Sequence, residues 1–258
     1  PLPRRAGELV VDSLDDDFSA FVFKIQANMN KAHRDRIAFM RIVSGRFDAD
    51  KEVYHVQGGK KLRLSRPQQL MAAEREIIEE AYAGDIIGVF DPGIFSIGDT
   101  LCAPGKKFRF DPIPTFAPEH FKRVRSLDTM KRKQFLKGME QIAQEGAIQI
   151  FKTPYTGMEE VIVGVVGTLQ FDVLEYRLKN EYNVELYMEG LPYEYLRWIE
   201  TDDGEPVKEE DLILGTDVKL VEDYKGNQLL LFGSQWAIGW TEERNKNLTF
   251  HEFGGTKF

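Results

Sequence analysis

Four prolines, Pro104, Pro112, Pro114 and Pro118, fall close together near the middle of this chain, and the hydrophobic period differs on their two sides. Proline has no amide hydrogen and a fixed φ, so neither a helix interior nor a central strand tolerates such a cluster. The chain is therefore expected to form two bodies that meet at this stretch. The first should be built on period two, and the second should mix period two with period 3.6.

Residues 1–17 read as a tether, because Pro1, Pro3 and Gly7 are followed by Asp12, Asp15, Asp16 and Asp17 with no apolar periodicity. From Phe18 to Ala27 the residues alternate, with Phe21, Phe23 and Ile25 on one face. Arg36 to Ser44 alternates again, with Ile37, Phe39 and Val43 facing one way. Shorter runs at Glu52–Gln57, Lys60–Ser65 and Ile86–Phe90 are punctuated by glycine turns about every ten residues. Many short strands with such spacing predict a small closed β-barrel over residues 18–111.

Beyond the prolines, Phe121–Arg125 predicts a strand, and Asp128 can cap a helix whose Phe135, Leu136, Met139, Ile142 and Ala143 share a face up to Gly146. Strands follow at Ala147–Phe151 and Glu160–Val166. A second helix from Thr168 is expected to turn Leu169, Phe171, Val173, Leu174 and Leu178 inward, and Val184–Met188 is extended again. The order β-α-β-β-α-β is that of the ferredoxin-like split βαβ arrangement, placed here over 112–190. Residues 191–258 predict a smaller α+β extension, with a hairpin turn at Lys225-Gly226-Asn227 and a helix capped by Ser234 that bears Trp236, Ala237 and Trp240. The expected class is thus multi-domain β plus α+β.

A hydrophobic content of 42% is enough for a sizeable core and excludes a disordered chain. The single cysteine, Cys102, can form no internal disulfide and points to a reducing compartment; no run approaches a membrane span and the start is not a signal peptide, so the expected location is the cytoplasm. The net charge is −8, yet two stretches are basic. Lys31 to Arg46 carries five cations against Asp35, and Lys122 to Lys137 carries seven against Asp128. Each is a candidate polyanion contact or a solvated face.

Catalytic patterns are lacking. His33, His55, His120 and His251 have no ligand spacing, there is no Gly-x-Ser-x-Gly or His-Glu-x-x-His, and the acidic pairs read as surface. Gly59-Lys60 and Gly105-Lys106 are each followed by Lys, without the upstream glycine and the Ser or Thr of a phosphate loop, so the chain is not expected to bind GTP. A free-standing two-domain enzyme finds no support in these residues.

Longer strings carry a resemblance. Phe21-Val22-Phe23-Lys24-Ile25-Gln26-Ala27-Asn28-Met29 and His33-Arg34-Asp35-Arg36-Ile37-Ala38-Phe39-Met40-Arg41-Ile42-Val43-Ser44-Gly45 resemble the second domain of bacterial peptide-chain release factor three. Its Ala-Phe-x-Arg-x-x-Ser-Gly core and Gly98-Asp99-Thr100-Leu101 are shared with domain two of other translational GTPases. Glu79 to Gly88, Val165 to Val173 and Leu178 to Glu185 resemble release factor three specifically. The resemblance is strong over about 18–200 and weaker beyond Glu200.

It implies a translation-factor-type β-barrel (18–111) and a release-factor-three C-terminal domain (112–258), without the GTP-binding domain, so that this chain has no catalytic, cofactor or metal residues of its own. GTP and magnesium would belong to the absent domain. The implied function is translation termination. The full-length factor would use GTP to promote dissociation of class I release factors after peptide release. The implied partners are the ribosome, through small-subunit RNA and a ribosomal protein, the class I factor indirectly, and the chain's own GTP-binding domain in cis, with no membrane and a monomeric state. Phosphate contacts would fall to Lys31, Arg34, Arg36 and Arg41 on the barrel and to Lys131, Arg132, Lys133 and Lys137 on the first helix of the second body. Arg36 and Arg41 differ by an odd number, so they share a face only across a bulge. An elongation factor G-like or ribosomal-protection tail is the alternative within the superfamily.

Overall fold

The computed structural model describes residues 2–27, 36–71, 74–113, 116–154 and 160–252. They form two compact units, Pro1–Ile113 with Gln144–Gly146, and Pro114–Ala143 with Ala147–Phe258.

The first unit begins with a hairpin, β1 (Arg4–Ala6) and β2 (Leu9–Val11), where a tether was expected. The hairpin is anchored because the Arg4 guanidinium lies 3.7 Å over the Phe21 ring and its Nη2 donates to the Asp111 carbonyl, while Val11 is buried with Phe21, Val43 and Phe110. The strands that follow are β3 (Ser19–Ala27), β4 (Arg36–Ser44), β5 (Arg46–Asp48), β6 (Val53–His55), β7 (Lys60–Leu62), β8 (Ser65–Met71), β9 (Glu74–Ile77), β10 (Glu80–Tyr82), β11 (Ile86–Phe90) and β12 (Thr100–Cys102). Eight of them form one sheet in the order β7-β6-β12-β3-β4-β11-β8-β9, and β5 pairs with β10. The sheet is barrel-like around a core that includes Ala20, Val22, Ile25, Ala38, Met40, Ile42, Ile87, Val89 and Leu101.

The alternation in β3 does not hold along its whole length. The register against β4 shifts between Val22 and Lys24, so Ala20 and Val22 line the core and then Ile25 does. Phe21 and Phe23 instead lie on the outer side, under the hairpin. The extra bulge residue moves every side chain after it to the other face, and so Phe21 and Ile25 do not share one.

The second unit runs β13 (His120–Ser126), α1 (Arg132–Gln144), β14 (Gln149–Lys152), β15 (Glu160–Val165), α2 (Leu169–Tyr182), β16 (Leu186–Leu191), β17 (Tyr195–Thr201), β18 (Val218–Asp223), β19 (Gln228–Phe232), α3 (Gln235–Arg244) and β20 (Leu248–His251). Its eight strands make one antiparallel sheet, β16-β13-β15-β14-β18-β19-β17-β20. The segment expected as an appended extension is therefore continuous with the rest, joined where Phe151 pairs with Asp223 and Lys152 with Glu222. Period two divides the two faces. Val161, Val163 and Val165 meet α1 and α2; Ile162 joins Phe121 and Phe151, and on that face they meet Leu196, Trp198, Val221, Leu229 and Leu231 from the other half of the sheet. Leu220, Leu230 and Phe232 point the other way, toward Ala237 and Ile238 of α3.

In α1 the expected face holds, with Phe135, Met139 and Ile142 buried and Leu136 and Ala143 partly so. In α2 it does not. Phe171, Leu174, Leu178 and Tyr182 face inward, whereas Leu169 is 75% exposed and Val173 half exposed, because residues at 169 and 173 lie outside the arc that 171, 174, 178 and 182 share. The two helices approach at Gly138, where a Cβ would lie 2.9 Å from Leu178 Cδ1 and from the Tyr182 ring. Tyr182 also donates its hydroxyl to Gln141 Oε1. Gly138→Ala is therefore expected to destabilise the second unit by about 1–3 kcal/mol through overpacking, despite alanine's better helix propensity. The urea midpoint of tryptophan fluorescence should fall at constant m, since Trp198, Trp236 and Trp240 all lie in this unit; an unchanged or higher midpoint would show that the helices give way at no cost. Among the described residues no helix is long and apolar enough to cross a membrane.

Candidate nucleic-acid interface

Of the expected cations, Lys31 and Arg34 lie outside the described residues. No register shift falls between Arg36 and Arg41 on β4, so alternation places them on opposite faces. Arg36 shares the parity of Ala38, Met40 and Ile42 and turns into the barrel, where it is 8% exposed. Its Nε donates to Asp91 Oδ2 at 2.6 Å and its Nη2 to the Phe95 carbonyl at 2.7 Å. A guanidinium committed to a buried carboxylate and a carbonyl is a structural strut, and this replaces the phosphate contact expected of it. Arg41, in contrast, is exposed, set between Phe21 on β3 and Ile86 on β11.

In the second unit Asp128 Oδ1 accepts the Met130 amide at 2.9 Å and caps a short 3-10 turn, Thr129–Lys131, that leads into α1. This places Lys131, Arg132 and Lys133 together at the amino end of the helix. Lys137 is one turn on from Lys133, and Arg132, Lys133 and Lys137 are exposed. The first turn of α1 contains no acidic residue. The amino end of a helix already carries a partial positive charge, so these cations are unfavourable for the helix by about 0.3–1 kcal/mol each. The helix dipole and the cations fanned round its first turn make this end attractive to anions, with the Asp128 carboxylate already accepting one amide there.

The cations upstream divide by strand parity. Lys122 lies on the helix side, its Nζ 4.6 Å from the Phe171 ring centre. Arg123 and Arg125 lie on the opposite face, where Arg123 meets Glu189 at 3.2 Å and Arg125 stacks 4.6 Å over the half-exposed Tyr187 ring. The Arg125–Tyr187 stack is a cation–π pair that residue-by-residue reading missed. The signal for it lies in the cross-strand register that sets Arg125 opposite Tyr187.

Neither Gly-Lys pair offers a nucleotide site. Gly59 ends a turn that leads into the strand Lys60–Leu62, and Gly105 is followed by irregular chain up to Ile113, so neither opens a helix whose amides could cradle a phosphate. Cys102 is fully buried with Sγ toward the Phe108 carbonyl, and burial pushes its thiol up to about 11. Its thiolate fraction at pH 8 is thus about 100-fold below that of an exposed thiol, and an aromatic disulfide reagent should label it only as fast as the barrel opens. Because the folded value is raised, the stability it contributes is complete below the ordinary thiol range and is lost as pH climbs through about 11. Rapid labelling of the native chain at pH 8 would contradict this burial.

The family model described as the class II release factor RF3, C-terminal domain, matches residues 110–242, and that of elongation factor G domain 2 matches residues 17–104. The chain is 55% identical over 250 residues to peptide chain release factor 3 of Symbiobacterium thermophilum, covering 97% of this chain and 46% of that protein. It is 46% identical over 252 residues to the release factor 3 of Gloeobacter violaceus, covering 98% and 47%, and 45% identical over 248 residues to that of Listeria monocytogenes, covering 96% and 46%. The chain thus spans about half the length of these relatives. A solved structure of a Thermus thermophilus protein shares the fold with a TM-score of 0.56 at 17% identity, over 81% of this chain and 31% of that one.

Proposed function

Because the chain belongs to the release factor 3 family, we propose that it is the ribosome-docking part of a translation termination factor and that its cationic α1 start holds ribosomal RNA. The whole factor would use GTP and magnesium, bound by a domain outside this chain, to promote dissociation of class I release factors after peptide release. This chain would act in the cytoplasm as a monomer without catalysis of its own. It would meet small-subunit RNA and a ribosomal protein directly, the class I factor indirectly, and its own GTP-binding domain in cis. The β-α-β-β-α-β run β13 to β16, with sheet neighbours β16-β13-β15-β14, supports reading that half of the sheet as ferredoxin-like. The observation that carries the functional reading is the placement of Lys131, Arg132 and Lys133 at a helix start whose first turn holds no acidic residue, where an anion is favoured.

Arg41 and, outside the described residues, Lys31 and Arg34 would supply further phosphate contacts on the first unit. Excess chain, added to ribosomes that carry a class I factor together with a full-length release factor 3, is expected to slow class I factor dissociation by competition for the docking surface. Unchanged dissociation at saturating chain would show that this half does not compete.

A further inference from the structure

The outward face of α3 carries an aromatic column that the fold does not use. The inward face is made by Ala237, Ile238 and Thr241, and the helix is capped by Ser234 Oγ, which accepts the Ala237 amide, and closed by Asn245. Trp236 is 72% exposed, although an indole is among the largest apolar groups a chain can bury. It stands 6.3 Å from Trp240 between ring centres, at 39°, and the Arg244 guanidinium lies 4.0 Å over Trp240. Spacing of i, i+4 and i+8 stacks the three into a ladder along one side of the helix, which fixes their rotamers before any partner arrives.

Gly239, beside Trp236 on the exposed side of the helix, has no described residue outside the helix backbone and its chain neighbours within 4 Å of where a Cβ would be, so the face next to the indoles is open.

The surroundings define the partner. Glu242 and Glu243 are exposed on the helix itself. Asp217 reaches Ser234 at the amino end. The turn Glu209–Asp211 leads to the half-exposed Ile213, which exchanges two hydrogen bonds with Asn245 at the carboxyl end. Residues 201–258 hold 6 Lys and Arg against 12 Asp and Glu. A phosphate backbone is repelled by such a field, whereas tryptophan and arginine are the residues that dominate protein interfaces. We propose that this face of α3 docks a basic protein surface, with Trp236, Trp240 and Arg244 as anchors. The choice of ribosomes as the test sample rests on the docking function proposed above.

The test places benzoylphenylalanine at position 235 or, separately, at position 133 of the 258-residue chain and irradiates each with purified ribosomes. The probe at 133 is expected to label RNA, and the probe at 235 a protein segment rich in lysine and arginine, identified by mass spectrometry. Trp236→Ala should lower the yield at 235 about tenfold, as loss of one interface anchor does, and leave the yield at 133 unchanged. Labelling from 235 that falls on RNA, on a second copy of the chain or nowhere, while 133 still labels RNA, overturns the docking face and leaves the ribosome reading intact. A yield at 235 that Trp236→Ala does not change overturns the role of that indole as an anchor. If neither probe labels, both readings fall.

Discussion

Asp91→Ala is expected to destabilise the first unit by about 3–5 kcal/mol, a large share of the roughly 5–15 kcal/mol that typically holds a domain. Asp91 is 1% exposed, and its two oxygens do separate work. Oδ2 neutralises the Arg36 guanidinium, while Oδ1 accepts the amides of Gly93 and Ile94 at 2.8 Å and of Phe95 at 3.3 Å. Truncation leaves a buried charge with a carbonyl in place of a counter-ion, and three loop amides without their acceptor. Asp91→Asn keeps an acceptor for the loop amides but loses the charge and turns its Nδ2 donor toward Arg36 Nε, so its cost should fall below that of alanine only by the share of the loop. Hydrogen exchange of the β4 and β11 amides is the appropriate measure, since all three tryptophans lie in the other unit. A loss below about 1 kcal/mol for alanine would mean that water enters and solvates Arg36.

The pair also shows where sequence reasoning stops. That Arg36 and Arg41 face opposite ways is readable from parity, but which of them turns inward depends on Asp91, 55 residues away. The apolar face of α1, the caps Asp128 and Ser234 and the order of elements along the chain from β13 to β16 were legible because period and capping are local. The hairpin over residues 4–11 was not, since its anchor is Arg4 stacked on Phe21 of a later strand. Nor was the bulge at Val22 to Lys24, which leaves no mark in an alternating pattern. On α2 and α3 the apolar residues run round the whole helix, so periodicity could not tell the outward Leu169, Val173 and Trp236 from the inward set. Of the candidate interface, the cluster at the start of α1 was legible from charge and the Asp128 cap together, whereas the Arg125–Tyr187 pair needed the register.

Reversing Lys131, Arg132 and Lys133 to glutamate should move stability and binding in opposite directions. Acidic groups at the amino end of α1 favour the helix by about 0.3–1 kcal/mol each, so the variant should fold at least as well as the parent. Its affinity for ribosomes should nevertheless drop, because three phosphate contacts contribute a salt exponent of about 2 to 3. Between roughly 50 and 200 mM salt the parent is then expected to lose about 20- to 40-fold more affinity than the variant. Equal salt sensitivity of the two would place the RNA contacts elsewhere, and a variant that melts earlier would show that the cations serve the fold.

The most direct test of the docking account is cosedimentation of the unmodified chain with ribosomes over a salt series. Seven cations, Lys31, Arg34, Arg41, Lys131, Arg132, Lys133 and Lys137, predict saturable binding at low salt whose logarithm falls against the logarithm of salt with a slope of about 5 to 6. Binding that does not respond to salt, or no binding at the lowest salt, would contradict the assignment of this half of the factor to ribosomal RNA.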